Sequence, residues 1–541
     1  MMTAVNFPPR SPSQSAAALT PDQAAVLDWL HRFAAPPPAA KPQMPQAPQI
    51  SADSRRIAPG DIFFAFPGDD ADGRRFISDA IERGAAAVLF DNLDFEWDEG
   101  IDLPHRGLAN LKPQSGLIAN AYYGNPDSGM FTVAVTGTNG KTSCAYWLAN
   151  ALSQLPQKPP APAAVIGTLG VGMFSNGVAN RFETTGYTTP DAVLLQRKLA
   201  ELRAARVSAV ALEASSIGLA QGRIAGLHID AALFTNLTRD HLDYHGDMAR
   251  YGAAKALLFE RPELQHGVVN LDDAFGVELA SRLRQRGVPV TGYSLNQAAE
   301  NPPDAALADL PVLRASAIRI SHIGTTFQVD SPFGSAAVKS HLVGQFNISN
   351  LLGVLGVLLA KGTPWSAAIA AVSALTPAPG RMQQLGGQDA PLVIIDYAHT
   401  PDALQKTLGS LRELAEQRHG KLWCLFGCGG DRDTGKRPEM GRASELADQV
   451  VLTSDNPRSE QPLAIIEQTR AGMQKLTPHI LEDRATAILW TVRHAGKQDV
   501  VLLAGKGHEM FQEVNGKKQP FLDADHAALA LAARATMLGG A

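Results

Sequence analysis

The chain has 541 residues, a length that predicts three or four domains rather than a single core. With 45% hydrophobic and 19% charged residues, a net charge of -5 and no basic block, its composition is that of a globular protein and gives no reason to expect a nucleic-acid partner. Only three cysteines occur, no apolar signal core is present at the N-terminus, and the longest apolar run, at 351–360, is about half of a bilayer span, so we expect a cytoplasmic protein without a membrane partner.

The first 49 residues are predicted to form a flexible leader. They are rich in Pro, Ala, Ser and Gln, most of all in AAPPPAAKPQMPQAPQ at 34–49. Such a composition offers little apolar surface to offset the entropy lost on ordering. One amphipathic stretch within it, PDQAAVLDWLHRFA, predicts a short helix.

Residues 50–129 are predicted to form a small first domain. GDIFFAFPG and AAAVLF indicate short buried strands, and the stretch around 74–84 indicates a helix between them.

Strands and helices then alternate through two further predicted domains, 130–379 and 380–541. The strands of the first are FTVAVTG, PAAVIGTLG, VSAVALEASS and HIDAALFTNL, and those of the second are PLVIIDYAH, KLWCLFGCGG, QVVLTSDNP and DVVLLAGKG. Short apolar runs separated by helical spacing predict parallel sheets covered on both faces. The predicted fold class is therefore α/β, and its ligands are expected at the carboxyl ends of the strands, where nearly every polar cluster lies.

The segment TGTNGKTS, at the end of the first of these strands, predicts a phosphate-binding loop. Its glycines let backbone N–H groups approach anionic oxygens at the positive end of the following helix. Lys141 would reach the outer phosphates, and Thr142 would offer a hydroxyl to Mg²⁺. The general phosphate-loop spacing is not met, because only Thr138 and Asn139 separate Gly137 from Gly140, and a simple strand–helix turn is the alternative. The predicted loop residues are Gly137, Thr138, Asn139, Gly140, Lys141, Thr142 and Ser143.

Carboxylate and imidazole groups follow the next strands. Glu213 ends an apolar strand, where a charge is costly unless it is paired or bound to metal, and Asp240, His241 and Asp243 follow the next one. Beside a nucleotide loop, this set suits Mg²⁺ held mostly by oxygens. Considered alone, Glu213 would be half of a salt bridge, His241 a structural residue, and Lys255 in MARYGAAKALLF a solvated side chain.

Together TGTNGKTS, EASS, DHLDYHG and YGAAKALLF, in this order and spacing, resemble the Mur ligase family, the ATP-dependent amide-forming enzymes of peptidoglycan-precursor synthesis. The resemblance runs from about Ser51 to the C-terminus, and the shortened phosphate loop of the family accounts for the unusual spacing. It implies a UDP-sugar-binding first domain, a central P-loop ATPase domain and a C-terminal Rossmann-like domain for the incoming amino acid. We further expect a monomer.

The resemblance also implies a catalytic centre with ATP as co-substrate. In the family, the lysine that matches Lys255 is carbamylated, which turns a cation into an anion that can hold metal. Two Mg²⁺ ions are implied, held through Thr142, Glu213, His241 and carbamylated Lys255, and the implied catalytic residues are Lys141, His241 and Lys255. The further ATP contacts implied are Asn270, Asn347, Arg381, Asp396 and His399.

The segment SADSRRIAPGDIFFAFPGDDADGRRF resembles the uridine-binding domain of the MurE-type members, which add the third amino acid. The implied contacts to UDP-N-acetylmuramoyl-L-alanyl-D-glutamate are Ser54, Thr184, Thr185, Ser215, Gln221 and Arg223. One departure concerns the local substrate contact and not the metal site: Ile217 follows the paired serines, where the family often has His.

The segment SDNPRSE resembles the members that add meso-2,6-diaminopimelate, whereas lysine-adding relatives depart from its arginine. Diaminopimelate is lysine with an extra carboxylate on its distal carbon, and the guanidinium of Arg458 can bind a carboxylate with two parallel hydrogen bonds. A surface salt bridge is the alternative for this residue. The implied contacts to the amino acid are Arg432, Asp455, Asn456, Pro457, Arg458, Gly505 and Glu509.

The predicted reaction is therefore an ATP-dependent ligation through an acyl phosphate. Folylpolyglutamate synthetase shares the ATPase core, but the first domain and Asp-Asn-Pro-Arg argue against it. A non-catalytic nucleotide-binding scaffold is a further alternative, and the combination of Lys141, Glu213, His241 and Lys255 argues against it.

Overall fold

The computed structural model describes residues 19–34, 48–69, 71–156, 161–296, 307, 309–321 and 324–538. Within these ranges the strands form four separate sheets, and the larger helices pack on the faces of three of them. No helix in the described part of the chain is long and apolar enough to cross a membrane.

The first helix, α1 (Pro21–Ala34), confirms the helix predicted from the amphipathic stretch. Val26 and Leu30 are buried in the same apolar cluster as Ile50 and Phe64 of the first sheet. This stretch is therefore docked on the first domain and is not part of a flexible leader. The rest of the predicted leader, 1–18 and 35–47, lies outside the described residues.

The first sheet has four parallel strands in chain order among the described residues. The two predicted strands and the helix between them are confirmed, because β2, β3 and α2 cover those segments. The elements are β1 (Ile50–Ser51), β2 (Ile62–Ala65), α2 (Ile77–Glu82), β3 (Ala87–Phe90), β4 (His105–Gly107) and α3 (Leu111–Tyr122).

The central sheet has eleven strands in the described residues, in the order β15-β14-β13-β12-β11-β10-β5-β9-β6-β7-β8. Its strands are β5 (Phe131–Thr136), β6 (Ala163–Gly167), β7 (Gly170–Ser175), β8 (Val178–Ala179), β9 (Ala209–Glu213), β10 (Ala231–Phe234), β11 (His266–Asn270), β12 (Val290–Ser294), β13 (Val312–Ser321), β14 (Gly324–Ser331) and β15 (Gly334–Ser340). The strands from β13 to β6 are parallel, which confirms the predicted parallel centre. The antiparallel additions at both edges, β14–β15 and β7–β8, were not predicted.

Helices cover both faces of this sheet. Side chains alternate between the faces along each strand, so Val133 and Val135 lie in one apolar cluster while Ala134 lies in the other. The helices are α4 (Lys141–Gln154), α5 (Ala192–Ala204), α6 (Ser216–Ala220), α7 (Leu242–His245), α8 (Met248–Ala256), α9 (Ala274–Gln285), α10 (Gln345–Ala360) and α11 (Trp365–Ser373).

The C-terminal sheet has the order β16-β17-β21-β18-β19-β20 in the described residues, and all its pairs except β16–β17 are parallel. All four predicted strands are confirmed, and a separate hairpin, β22–β23, was not predicted. The elements are β16 (Gln383–Gly386), β17 (Leu392–Asp396), α12 (Pro401–Gln417), β18 (Leu422–Phe426), α13 (Lys436–Ser444), β19 (Gln449–Leu452), α14 (Pro462–Arg470), β20 (His479–Ile480), α15 (Arg484–His494), β21 (Val500–Ala504), β22 (Phe511–Val514), β23 (Lys517–Pro520) and α16 (Asp523–Leu538).

The registers bring the predicted polar clusters to one edge of each parallel sheet. Val135 of β5 lies opposite Glu213 of β9, and Thr136 lies opposite Phe234 of β10. In the C-terminal sheet Asp396 lies opposite Ala504. The segments that follow these strands therefore meet in space although they are far apart in the chain.

Candidate active site

The predicted phosphate loop lies between β5 and α4. Gly137 has φ +148° and Gly140 has φ +86°, backbone conformations that side-chain-bearing residues rarely adopt. A Cβ at Gly137 would overlap the Thr235 hydroxyl, and one at Gly140 would lie 2.7 Å from Asn350 Oδ1. Both glycines are therefore required by space as well as by backbone conformation.

Lys141 folds back over this loop. Its Nζ donates to the backbone oxygens of Gly137 and Thr138 at 2.9 and 2.8 Å. Burial lowers the pKa of Lys141, while the carboxylates of Glu213 and Asp240 act in the opposite direction. The ammonium is thus held at the mouth of the loop by acceptors that a phosphate can replace.

Glu213 is buried at the end of β9, and within the described residues its hydrogen-bond partners are all neutral. Thr142 Oγ1 donates to Oε2 at 2.9 Å, Thr168 N donates to Oε1 at 2.8 Å, and Thr168 Oγ1 donates to Oε2 at 3.1 Å. The salt bridge considered for Glu213 alone is therefore wrong for this structure. A buried carboxylate without a cationic partner is an energetically favourable place for a metal ion.

Lys255 lies beneath the loop and not on a solvated face, so that alternative is wrong. Its side chain is 1% exposed, and its Nζ donates to Gly137 O at 2.8 Å and lies 4.2 Å from the centre of the Tyr251 ring. Burial, reinforced by Lys141, lowers the pKa of Lys255 well below its ordinary value. The structure thus provides an amine that is readily deprotonated.

Asp240 joins the central and C-terminal domains. Its Oδ2 lies 3.5 Å from His241 Nε2 and 4.0 Å from His399 Nε2, and its Oδ1 lies 3.9 Å from Lys436 Nζ. Burial would raise the pKa of Asp240, but these groups together outweigh burial and lower it to about 2. Asp240 was predicted as one of the carboxylates suited to Mg²⁺, and its contacts with His399 and Lys436 of the C-terminal domain were not predicted.

The two histidines in this cluster favour their neutral forms. Burial lowers the pKa of His241, and burial also lowers that of His399 to about 4 although Asp240 acts against it. His241 has φ +53° at the start of α7, which turns its ring toward Asp240.

A cavity of about 690 Å³ opens at this edge, with walls from both the central and the C-terminal domains. The predicted residues that line it are Thr138, Asn139, Gly140, Lys141, Thr142, Ser143, Glu213, Ser215, His241, Asn270, Asn347, Arg381, Asp396 and His399. Gly137 and Lys255 are not part of that lining, and Lys255 Nζ donates to the backbone oxygen of Gly137.

Arg381 reaches across the domain boundary. Its Nη2 donates to Thr142 Oγ1 at 3.0 Å, and its guanidinium lies 4.2 Å from the centre of the Tyr397 ring. The carboxylate of Asp396 binds the protein backbone in this structure. Its oxygens accept from the N–H groups of Met382 and Ala398 at 2.8 and 3.0 Å. Asp396 therefore shapes the turn that presents Arg381 and Tyr397.

Sequence reasoning missed one wall of the cavity. Ala403, Lys406 and Thr407 of α12 line it, as does Tyr397. The α12 residues belong to an ordinary amphipathic helix pattern, so only the packing of α12 against the central domain reveals them.

The residues implied for the UDP-linked substrate lie where the first domain meets the central one. Arg56 Nη2 donates to Thr185 O at 2.6 Å, and Arg223 lies 5.1 Å from the centre of the Tyr187 ring and donates to Gln221 Oε1 at 2.7 Å. Thr189, which was not predicted as a site residue, connects this region to Glu213, the candidate metal ligand. Its Oγ1 donates to Glu213 O at 2.7 Å and lies 3.0 Å from Ser215 Oγ. Ser54 is buried in the adjacent turn Ser54–Arg56, whereas Thr184 is exposed.

At the position where the family often has His, Ile217 is half-buried in α6. A histidine from elsewhere reaches the paired serines, because His245 Nε2 lies 3.0 Å from Ser216 Oγ.

The amino-acid candidates follow the carboxyl ends of β18, β19 and β21. Arg458 has φ +52°, and its side chain is 23% exposed. Its Nη1 donates to Gly430 O at 2.6 Å, and its Nε lies 3.6 Å from Glu513 Oε2. The guanidinium is therefore held against the protein, although it does have an acidic neighbour. Arg432 is exposed.

Asn456 connects the turn to the two segments that face it. Its Nδ2 donates to Glu509 Oε2 at 2.8 Å, and its Oδ1 accepts from Glu513 N at 2.9 Å. Gly505 has φ +105°, and a Cβ there would lie 2.9 Å from Asp455 Oδ2. Burial raises the pKa of Asp455. Pro457 is buried beside these residues.

Comparison with known proteins identifies relatives along nearly the whole chain. Family models match residues 48–99 (Mur ligase family, catalytic domain), 135–358 (Mur ligase middle domain) and 380–507 (Mur ligase, glutamate ligase domain). A protein of Janthinobacterium sp. (strain Marseille) named UDP-N-acetylmuramoyl-L-alanyl-D-glutamate--2,6-diaminopimelate ligase is 59% identical over 94% of this chain and 97% of that protein.

Solved structures give the same result. A UDP-N-acetylmuramoyl-L-alanyl-D-glutamate--2,6-diaminopimelate ligase is 35% identical with a TM-score of 0.61 and covers 94% of this chain and 99% of its own. The MurF ligase from Thermotoga maritima in complex with ADP is 18% identical with a TM-score of 0.62, covers 91% of this chain and 98% of its own, and supports the fold alone.

Proposed function

The chain belongs to the Mur ligase family and is an ATP-dependent ligase, and from this premise we propose that it adds meso-2,6-diaminopimelate to UDP-N-acetylmuramoyl-L-alanyl-D-glutamate in peptidoglycan-precursor synthesis. The relatives named for that reaction match the chain over nearly its full length. The structural observation that supports the choice of amino acid is the guanidinium of Arg458: Nη1 donates to Gly430 O, and Nη2 has no hydrogen-bond partner among the described residues.

We assign one substrate to each domain. Residues 50–129 bind the UDP-sugar, 130–379 bind ATP, and 380–541 bind the amino acid. The three larger sheets fall within these ranges, and this supports the division. Ser54, Thr184, Thr185, Ser215, Gln221 and Arg223 remain the proposed contacts to the muramoyl dipeptide, and Arg432, Asp455, Asn456, Pro457, Arg458, Gly505 and Glu509 those to the amino acid.

ATP is placed in the cavity of about 690 Å³. The N–H groups at the start of α4 and the ammonium of Lys141 face anionic phosphate oxygens, and the dipole of α4 adds to their attraction. Arg381 supplies a second cation from the C-terminal domain, and its contact with Thr142 brings that cation to the phosphate end of the cavity.

Mg²⁺ fits the donors at this site. The buried carboxylate of Glu213 lies 2.9 Å from the hydroxyl oxygen of Thr142, so two oxygen donors meet there. Mg²⁺ commonly takes one or two carboxylates and completes its shell with phosphate oxygens and water. Thr142 and the buried Glu213, with His241 and modified Lys255, would hold the two ions. Bound there, Mg²⁺ would neutralise charge on the transferring phosphate.

The chemistry follows two balanced steps. The D-glutamate carboxylate of the UDP-linked substrate attacks the γ-phosphorus of ATP, forming a C–O–P bond as the bond to ADP breaks. The unprotonated amine of diaminopimelate then attacks the acyl carbon, forming the amide as inorganic phosphate leaves and the amine loses its proton. The protein residues position the reactants, neutralise charge and exclude water.

We also propose that Lys255 is an N6-carboxylysine. The unprotonated amine attacks CO₂, forming an N–C bond and releasing one proton. The support is the burial of the amine beside Gly137 O and its depressed pKa, which favours the nucleophilic form. We further propose that the protein acts as a cytoplasmic monomer without a nucleic-acid or membrane partner.

The test is a ligation assay with purified protein, UDP-muramoyl dipeptide and ATP. Diaminopimelate is expected to give the tripeptide product and ADP in equal amounts, and lysine to give little. Product formation with lysine but not with diaminopimelate would refute the proposed specificity, and ADP release without any amide product would refute ligation.

A further inference from the structure

Lys506 is a buried cation that lies between the proposed contacts to the amino acid. Its side chain is 0% exposed, and its Nζ donates to Asn456 Oδ1 at 3.2 Å, to Glu509 Oε2 at 3.0 Å and to Phe511 O at 2.8 Å. An ammonium has three donors, and all three are used. Two of the three acceptors are side chains that we assign to the amino-acid site.

The partners of Lys506 come from two stretches of the chain, the turn after β19 and the continuous stretch from β21 into the hairpin β22–β23. Asn456 belongs to the turn after β19, Glu509 to the segment after β21, and Phe511 begins the hairpin β22–β23. Lys506 can influence the amino-acid site without touching a substrate, because Asn456 and Glu509 are proposed contacts to the amino acid. Removal of the buried ammonium would leave its acceptors unsatisfied, and only the direct hydrogen bond between Asn456 and Glu509 would remain to hold the two side chains together.

The carboxylate of Glu509 shows what this arrangement achieves. Oε2 accepts from both Lys506 Nζ and Asn456 Nδ2, whereas Oε1 has no hydrogen-bond partner within the described residues. One oxygen is therefore fixed by the protein and the other is left for a donor from outside it. An amino group of the incoming amino acid is such a donor.

We propose that Lys506 is a positioning residue for the amino-acid site: through Glu509 and Asn456 it fixes the free carboxylate oxygen that receives the distal amino group of the substrate. The proposal rests on the proposed function, and it adds a residue that acts on amino-acid binding and not on ATP or on acyl-phosphate formation.

The experiment compares Lys506→Met and Lys506→Arg with a matched control, Lys517→Met. Lys517 is an exposed lysine of the hairpin β22–β23, which follows Lys506 in the chain. Two reactions are measured: full ligation as a function of diaminopimelate concentration, and the half-reaction without amino acid, followed as positional isotope exchange in ATP that depends on the UDP-linked substrate. Lys506→Met is expected to raise KM for diaminopimelate by about 10- to 100-fold while the half-reaction changes by less than about twofold. The control is expected to leave both unchanged.

A second comparison tests whether Lys506 acts through Glu509. The KM of Lys506→Met/Glu509→Gln is expected to be within about threefold of that of Glu509→Gln alone, because the fixed carboxylate is already lost. Multiplication of the two single effects would show that Lys506 acts independently and would overturn the proposal.

Other results of these measurements also test the positioning role of Lys506. An unchanged KM in Lys506→Met, or an equal loss of both reactions, would overturn the positioning role. If Lys506→Met does not fold, Lys506→Arg decides: a raised KM with an intact half-reaction supports the role, and an unchanged KM refutes it, because arginine keeps the charge but not the three-way geometry. Failure of the wild-type protein to ligate diaminopimelate would instead refute the proposed function.

Discussion

At Lys255 a buried amine lies 2.8 Å from a backbone oxygen of the phosphate loop and has a depressed pKa. These features make the proposed carbamate testable. Lys255→Ala is expected to lower kcat by about 100-fold or more, because the proposed metal-binding carbamate would be lost, while KM for diaminopimelate changes little. Intact-mass measurement in bicarbonate is expected to show one added CO₂ on the wild type and none on Lys255→Arg. Full turnover by Lys255→Ala, with and without bicarbonate, would exclude a catalytic role.

Arg458 is the residue on which the proposed choice of amino acid depends. Arg458→Lys keeps the positive charge but loses the planar fork, so kcat/KM for diaminopimelate is expected to fall by about 100-fold. Activity with lysine, which lacks the distal carboxylate, is expected to change by less than about threefold. Steady-state kinetics with both amino acids give the comparison, and Arg470→Lys, at an exposed ion pair on α14, is the control. An equal loss with both amino acids would indicate a structural role for Arg458.

At the scale of elements, helix α1 shows how a short apolar stripe can dock a segment that composition assigns to a leader. Leu30 is 0% exposed, so Leu30→Ala is expected to reduce the free energy of unfolding of the first domain by about 2–4 kcal/mol. Asp28→Ala, at an exposed position of the same helix, is the control. Denaturation followed by Trp29 fluorescence measures the difference, and identical curves for the two variants would show that α1 does not contribute to stability.

Strand β11 carries a buried histidine with a consequence for acid stability. His266 Nε2 lies 2.9 Å from Thr291 Oγ1, Nδ1 has no partner among the described residues, and burial lowers its pKa from the ordinary 6.5 to about 4. Between these values the unfolded chain binds a proton that the folded chain does not, so the free energy of unfolding falls as pH is lowered from 6.5 to 4, by up to about 3 kcal/mol.

His266→Gln removes that titration. Its unfolding free energy is expected to depend less steeply on pH between 6.5 and 4 than that of the wild type, whatever its stability at neutral pH. Chemical denaturation at several pH values provides the slopes. Equal slopes in this window would show that His266 does not titrate as its burial requires.

At the scale of the whole molecule, the C-terminal domain is tied directly to the phosphate loop. Asp402, in the first turn of α12, accepts from Asn139 Nδ2 at 3.1 Å and from Thr238 Oγ1 at 3.4 Å. Asp402→Ala is expected to raise KM for ATP by about tenfold, because α12 lines the cavity proposed for ATP and would lose its hydrogen bonds to Asn139 and Thr238.

Asp389→Ala provides the control, since Asp389 pairs only with Lys497 at the surface of the C-terminal domain in the described residues. ATP-dependent kinetics and thermal unfolding are measured for both variants. A drop in thermal stability without a change in KM would contradict the role of Asp402 in positioning the nucleotide cavity.

Local patterns predicted most of the central elements correctly. Short continuous apolar runs, separated by helical segments, predicted β5, β9, β10 and the C-terminal strands. Strands that are buried on both faces are nearly continuous in hydrophobic residues. The antiparallel strands β7–β8 and β14–β15 and the hairpin β22–β23 were not predicted, because half-exposed antiparallel strands have weaker apolar signals. The parallel strands β11, β12 and β13 were not predicted either.

The sequence by itself determined the α/β class and the strand–turn–helix at residues 137–143, because these depend on periodicity and on glycines at fixed spacing. Only the tertiary structure decided that Lys255 is buried, that Asp240 and Asp402 bridge domains, and that Lys506 ties Asn456 to Glu509. Burial and contact join residues that are far apart in the chain, and a local pattern does not contain the environment that sets the charge and orientation of a side chain.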